Sequence, residues 1–97
     1  MPTYVALITW TDQGARAVKD TVRRYEAARE QAEELGVTFK DIHWTMGAYD
    51  AVAIVEARDD VAASTFSLAV GSLGNIRTVT MRAYNKDEMS GILNRLP

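Results

Sequence analysis

One histidine, one tyrosine and two aspartates near the middle of the chain hold its best prospect of chemistry. His43 is the only histidine, and Asp41 stands two residues before it. On a strand this spacing puts both side chains on one face. There a carboxylate sets the tautomer of an imidazole and raises its basicity. Tyr49 and Asp50 follow, within Met46-Gly47-Ala48-Tyr49-Asp50. Such an aspartate can accept a proton and a phenol can stabilise a developing oxyanion, as in cofactor-free isomerases. The same residues also have a plainer use. Glycine admits a positive φ in a turn, aspartate bonds nearby backbone, tyrosine anchors a hairpin, and a histidine can sit half-exposed at a subunit interface.

Trp10 and Trp44 can bound an apolar pocket, although large aromatics also serve as core or interface anchors. Arg77 and Arg82 can bind a carboxylate or phosphate, or pair with acids across a subunit boundary. Other chemistries find no support. One histidine among scattered carboxylates, with no cysteine, does not assemble a metal-ligand set. Gly71-Ser72-Leu73-Gly74 lacks the spacing of a nucleophile elbow. No glycine-rich loop with a phosphate-binding lysine is present. Neither cofactor nor metal is expected.

The 97 residues carry 11 basic and 13 acidic side chains, for a net charge of -2. The signs are interspersed, without the basic stripe that neutralises a phosphate backbone, so nucleic acid is not an expected partner. Absent cysteines fit a reducing compartment, and no stretch approaches the roughly 18 apolar residues of a bilayer span. A cytoplasmic protein of one domain, residues 1–97, is expected.

The elements that must position these residues follow from apolar spacing. Thr3–Trp10 reads as a strand buried on both faces, broken at Thr11-Asp12-Gln13-Gly14. Val18, Val22, Tyr25, Ala28 or Arg29, Ala32 and Leu35 recur at helical spacing, predicting a long helix that ends near Leu35 and is stopped by Gly36. A second strand, about Val37 to Met46, is expected to turn Ile42, Trp44 and Met46 to the core and Phe39, Asp41, His43 and Thr45 away. The third, about Asp50 to Ala57, contains the unbroken apolar run Ala51–Val55. Asp59 and Asp60 start a helix with Ala62, Phe66, Ala69 and Leu73 towards the sheet, and Gly74 stops it. A fourth strand covers Asn75–Tyr84, with Val79, Met81 and Ala83 on one face. A final helix, Asp87–Leu96, has Met89, Ile92, Leu93 and Leu96 as its inward stripe.

The order βαββαβ plus a terminal helix is the split βαβ plan: an α+β, ferredoxin-like, antiparallel four-stranded sheet with helices on one face. Strand three does not alternate apolar with polar side chains, so both of its faces require cover. A chain this short has helices for one face only. A second copy on the other face, giving a homo-oligomer, is therefore expected.

Gly47-Ala48-Tyr49-Asp50, the apolar strand after it, the Asp59-Asp60 helix start and Leu73-Gly74-Asn75-Ile76-Arg77-Thr78 together resemble the GYD-domain family. The resemblance runs from the first strand through Tyr84. It implies a small bacterial-type protein of ferredoxin-like, dimeric α/β-barrel-related architecture, with no established activity. The leading expectation is a homo-oligomeric small-molecule-binding or interaction module, with Trp10, His43, Tyr49 and Asp50 as the candidate ligand residues. The alternative is a cofactor-free isomerase or monooxygenase using His43, Tyr49 or Asp50 for proton transfer.

Overall fold

Four strands, β1 (Thr3–Trp10), β2 (Val37–Trp44), β3 (Ala51–Ala57) and β4 (Ile76–Ala83), form one antiparallel sheet in the order β2-β3-β1-β4. The computed structural model describes residues 1–97. Helices α1 (Asp12–Arg16), α2 (Thr21–Glu34) and α3 (Asp60–Ser72) lie in the crossovers, and α4 (Lys86–Leu93) follows β4. The expected ferredoxin-like arrangement is present. Asp59 caps α3 by accepting the Ala62 N–H at 2.8 Å, which satisfies an amide that has no partner within the helix. Gly36 and Gly74, at φ +80° and +84°, close α2 and α3 as expected.

The long first helix is instead broken into α1, a 3₁₀ turn at Val18–Asp20, and α2. Its start is tethered to the far end of the chain. Thr11 donates its backbone N–H to the Asn75 carbonyl at 3.1 Å and its hydroxyl to the Gly74 carbonyl at 2.5 Å. A Cβ at Gly14 would stand 2.0 Å from the Asn75 carbonyl oxygen, so only glycine lets the two backbones meet there. The break leaves Val18 and Val22 exposed, while Ala28, Ala32 and Leu35 remain packed on the core.

Phe39 corrects the face assignment of β2. Phe39 pairs with Val55 and Asp41 with Ile54, so Lys40 is an extra residue in a β-bulge. The bulge resets the alternation by one, and Phe39 joins Ile42 and Trp44 on the helix-covered side. Met46 lies beyond the end of β2 and is fully exposed. Leu73 is also largely exposed, and Val70 takes the inward place at the end of α3. The apolar residues of α4 face solvent, since that helix has no buried residue.

The core is built from Tyr4, Ala32, Val37, Ala53, Val55, Ala57, Ala62, Ala63, Phe66 and Val70. On β3 the inward residues are Ala51, Ala53, Val55 and Ala57, three of them alanines, whereas the larger Val52 and Ile54 point away from the helices. Cross-strand register continues that outer surface. Ile54, Val5 and Met81 form one row, and Val52, Leu7 and Val79 the next. Val79 and Met81 are 51% and 44% exposed, and the other four are half-buried. No helix is long and apolar enough to cross a membrane.

Candidate functional site

The antiparallel register brings the ends of β1 and β2 and the starts of β3 and β4 to one end of the sheet: Trp44 pairs with Ala51, Ala51 with Ile8, and Trp10 with Ile76. Asp50 ties this end together. Its carboxylate accepts the Trp10 backbone N–H at 2.8 Å, its own N–H donates to the Ile8 carbonyl at 2.8 Å, and its carbonyl accepts the Thr45 N–H at 2.9 Å. Gly47 at φ +112° turns the chain between them. Tyr49 keeps its ring partly exposed, and its carbonyl accepts the Thr45 hydroxyl at 2.7 Å. Trp10 and Asp50 are thus brought together, with the Tyr49 backbone beside them.

His43 is placed elsewhere. It sits on the sheet face opposite Trp44, in register with Val52, and its Nε2 lies 3.2 Å from Asp41 Oδ2. Both side chains are more than half exposed. They border the two apolar rows on the β2 side, because Asp41 stands opposite Ile54.

Between the sheet and the helices lies a cavity of about 230 Å³. Its space comes from small side chains: Ala6, Ala51 and Ala53 on the sheet, Ala28 on α2 and Ala63 on α3. Aromatic rings wall it. Tyr25 meets Phe39 and Trp44 edge-on, with centroids 5.3 and 5.8 Å apart, and Phe39 meets Phe66 at 5.7 Å. Such edge-to-face contacts hold rings in fixed relative positions. Trp44 is further fixed by its indole N–H, which donates to the Thr21 hydroxyl at 3.0 Å. Trp10 also lines the cavity, as do Arg24 and Asn75. The Arg24 guanidinium donates to the Ala17 and Gly14 carbonyls at 2.9 and 3.4 Å, and no carboxylate pairs with it.

At the opposite end of β1, the buried Tyr4 donates its hydroxyl to Asp60 Oδ1. That bond, with burial and the negative charge of Asp60, pushes the Tyr4 phenol up to about 12. Arg82 stands 4.6 Å over the Tyr84 ring and reaches Glu88 at 3.3 Å. Bonds from the Asn85 N–H and then from Arg82 hold the Glu88 carboxyl below its ordinary value. No cluster of three or more histidine or acidic side chains is placed to hold a metal ion.

Of the residues singled out in the sequence, Trp10 and Trp44 line the cavity and Asp50 ties the end of the sheet, whereas Arg24 and the alanine-lined space are not among them. Arg24 reads as one more charge on a solvated helix. The small residues carried a usable signal, since alanine takes three of the four same-face positions 51, 53, 55 and 57 on the very strand that needs a core face.

Comparison with known proteins agrees with this architecture. The GYD-domain family profile matches residues 4–93. A relative from Thermus thermophilus, the "Glutamine synthetase and cystathionine beta-lyase binding protein", is 36% identical over 84 residues, covering 86% of this chain and 88% of its own. Among solved structures, FFRP-DM1 superposes with a TM-score of 0.57 at 21% identity, covering 87% of this chain and 100% of its own. TTHA0845, also from Thermus thermophilus, gives 0.55 at 24%, covering 88% and 95%. These two structures speak for the fold alone.

Proposed function

This chain belongs to the GYD-domain family, and we propose that it works as a homodimeric interaction module whose partners are other proteins. The observation that carries this reading is the inversion on β3, where alanines face the helices and Val52 and Ile54 face outwards. A sheet evolved to show one face to water places its larger apolar side chains inside. Here six of them form two cross-strand rows on the uncovered side.

A second copy is the occupant that suits such a surface. A two-fold interface is self-complementary, so the patch that needs cover also provides it. Strands of seven to eight residues in a four-stranded sheet span roughly 20 by 27 Å, about 500 Å² in projection. Side-chain relief brings this towards the about 800 Å² that each partner gives a standard interface. His43 and Asp41 then lie on the polar rim of the contact, the usual place for charged groups beside an apolar centre.

Support for protein partners comes from the relative whose name records binding to two enzymes, glutamine synthetase and cystathionine β-lyase. Proton transfer by His43, Tyr49 or Asp50 draws less support. The Asp50 carboxylate is engaged with the Trp10 amide, and His43 looks out from the other side of the sheet. Titration of the purified protein against glutamine synthetase and cystathionine β-lyase from the same cell tests the partner assignment. Saturable binding to either supports it, and binding to neither removes it.

A further inference from the structure

We propose that the cavity between the sheet and α2 and α3 is a binding site for a small aromatic carboxylate. The inference does not depend on self-association, because the cavity opens within one copy and lies on the other side of the sheet from the apolar rows.

Three observations define the ligand. The first is volume. At about 230 Å³ the space exceeds the roughly 150 Å³ that accommodates benzene in an apolar protein cavity, and falls below the range of about 300 Å³ and more used by drug-sized ligands. One or two fused rings fit; a nucleotide does not. The second is the wall. Tyr25, Phe39 and Trp44 hold one another edge-on around an alanine floor, which presents apolar surface and takes away little space. A flat ring gains both burial and aromatic contact there.

The third is charge. Arg24 lines the same cavity, and its guanidinium is steadied by two backbone carbonyls without a carboxylate partner. Carbonyls orient a guanidinium but leave its charge uncompensated, and the remaining N–H groups match the geometry of a carboxylate. Thr21 and Asn75 stand on the same lining as further polar groups. Ring and acid therefore have complementary places within one site.

The probes are 1-naphthoate and its neutral counterpart 1-naphthamide, titrated into the full chain by calorimetry and by NMR of the two tryptophan indole N–H signals. The chain has two tryptophans, and both line the cavity. Naphthoate is expected to bind saturably and to shift both signals. Arg24→Gln is expected to weaken naphthoate about tenfold or more, the scale of a charged hydrogen bond, and to leave naphthamide unchanged. Ala53→Leu is expected to abolish both by filling the floor; Ala28→Leu makes the same test from the less buried α2 side should the first variant fail to fold. Failure of naphthoate to saturate at millimolar concentration, unmoved indole signals, or equal naphthoate affinity in Arg24→Gln would each overturn the proposal.

Discussion

The Asp50 carboxylate accepts the backbone N–H of Trp10 at 2.8 Å, which fastens the end of the β2–β3 hairpin to the end of the central strand. The aspartate of the glycine–tyrosine–aspartate motif therefore works as a clasp between segments forty residues apart. Replacing Asp50 with Ala removes the acceptor and leaves a part-buried amide unpaired. The expected loss is about 1–3 kcal/mol in urea unfolding, with Asp50→Asn costing less because an amide oxygen can still accept. Unchanged stability in Asp50→Ala would show that the clasp is dispensable.

The Tyr4–Asp60 bond makes stability depend on alkaline pH. The Tyr4 phenol rises from its ordinary value of 10.0 to about 12 in the folded protein, so its contribution is complete below about pH 10. It is lost as pH climbs through about 12, because the unfolded chain gives up this proton first. Tyrosinate absorbance should show a titration phase near pH 12 that belongs to Tyr4. Tyr4→Phe should remove that phase and flatten the decline in stability over the same interval.

Gly14 tests the meeting of α1 with the start of β4. Its Cβ in Gly14→Ala would fall 2.0 Å from the Asn75 carbonyl oxygen, and a rigid backbone cannot yield as a flexible side chain does. Thermal or urea unfolding should report a loss of about 1–3 kcal/mol, as for other overpacked contacts. Gly71→Ala, where nothing lies within 4 Å of the new Cβ, serves as the helix-located control and should be neutral or slightly stabilising.

The succession of strands and helices along the chain, the caps at Asp59, Gly36 and Gly74, and the lack of alternation at Ala51–Val55 are all legible in the residues, because each depends on local spacing or one special backbone conformation. Phe39 is misplaced by sequence pattern for the opposite reason. A bulge at Lys40 is decided by how β2 pairs with β3, and no residue type in Phe39-Lys40-Asp41 announces it. The break after Arg16 likewise depends on a distant contact, that of Gly14 with Asn75. Val18 and Val22 keep the helical period while lying outside the packed stripe. In the candidate site, Trp10 and Asp50 can be named from sequence but not joined, since register sets their approach. Arg24 escapes notice because only the folded chain shows that it lines the cavity and that its guanidinium bonds backbone carbonyls without a carboxylate partner.

Charging the uncovered sheet face should act on assembly and spare the fold. Val79 and Met81 are 51% and 44% exposed in one copy, so Val79→Glu and Met81→Glu leave the helix-side core untouched. Each should weaken self-association by at least about tenfold, as expected when an apolar contact worth about 1.5–3 kcal/mol gives way to a carboxylate. Circular dichroism should match the parent chain. Thr80→Glu, placed on the other face of the same strand, should leave assembly unaltered.

Sedimentation equilibrium of the unmodified chain across micromolar concentrations tests the dimer most directly. The expected result is a mass of two chains, shifted to one chain by Val79→Glu. A single-chain mass that persists to millimolar concentration would mean that water alone covers Val5, Leu7, Val52, Ile54, Val79 and Met81, and the proposed assembly would be wrong.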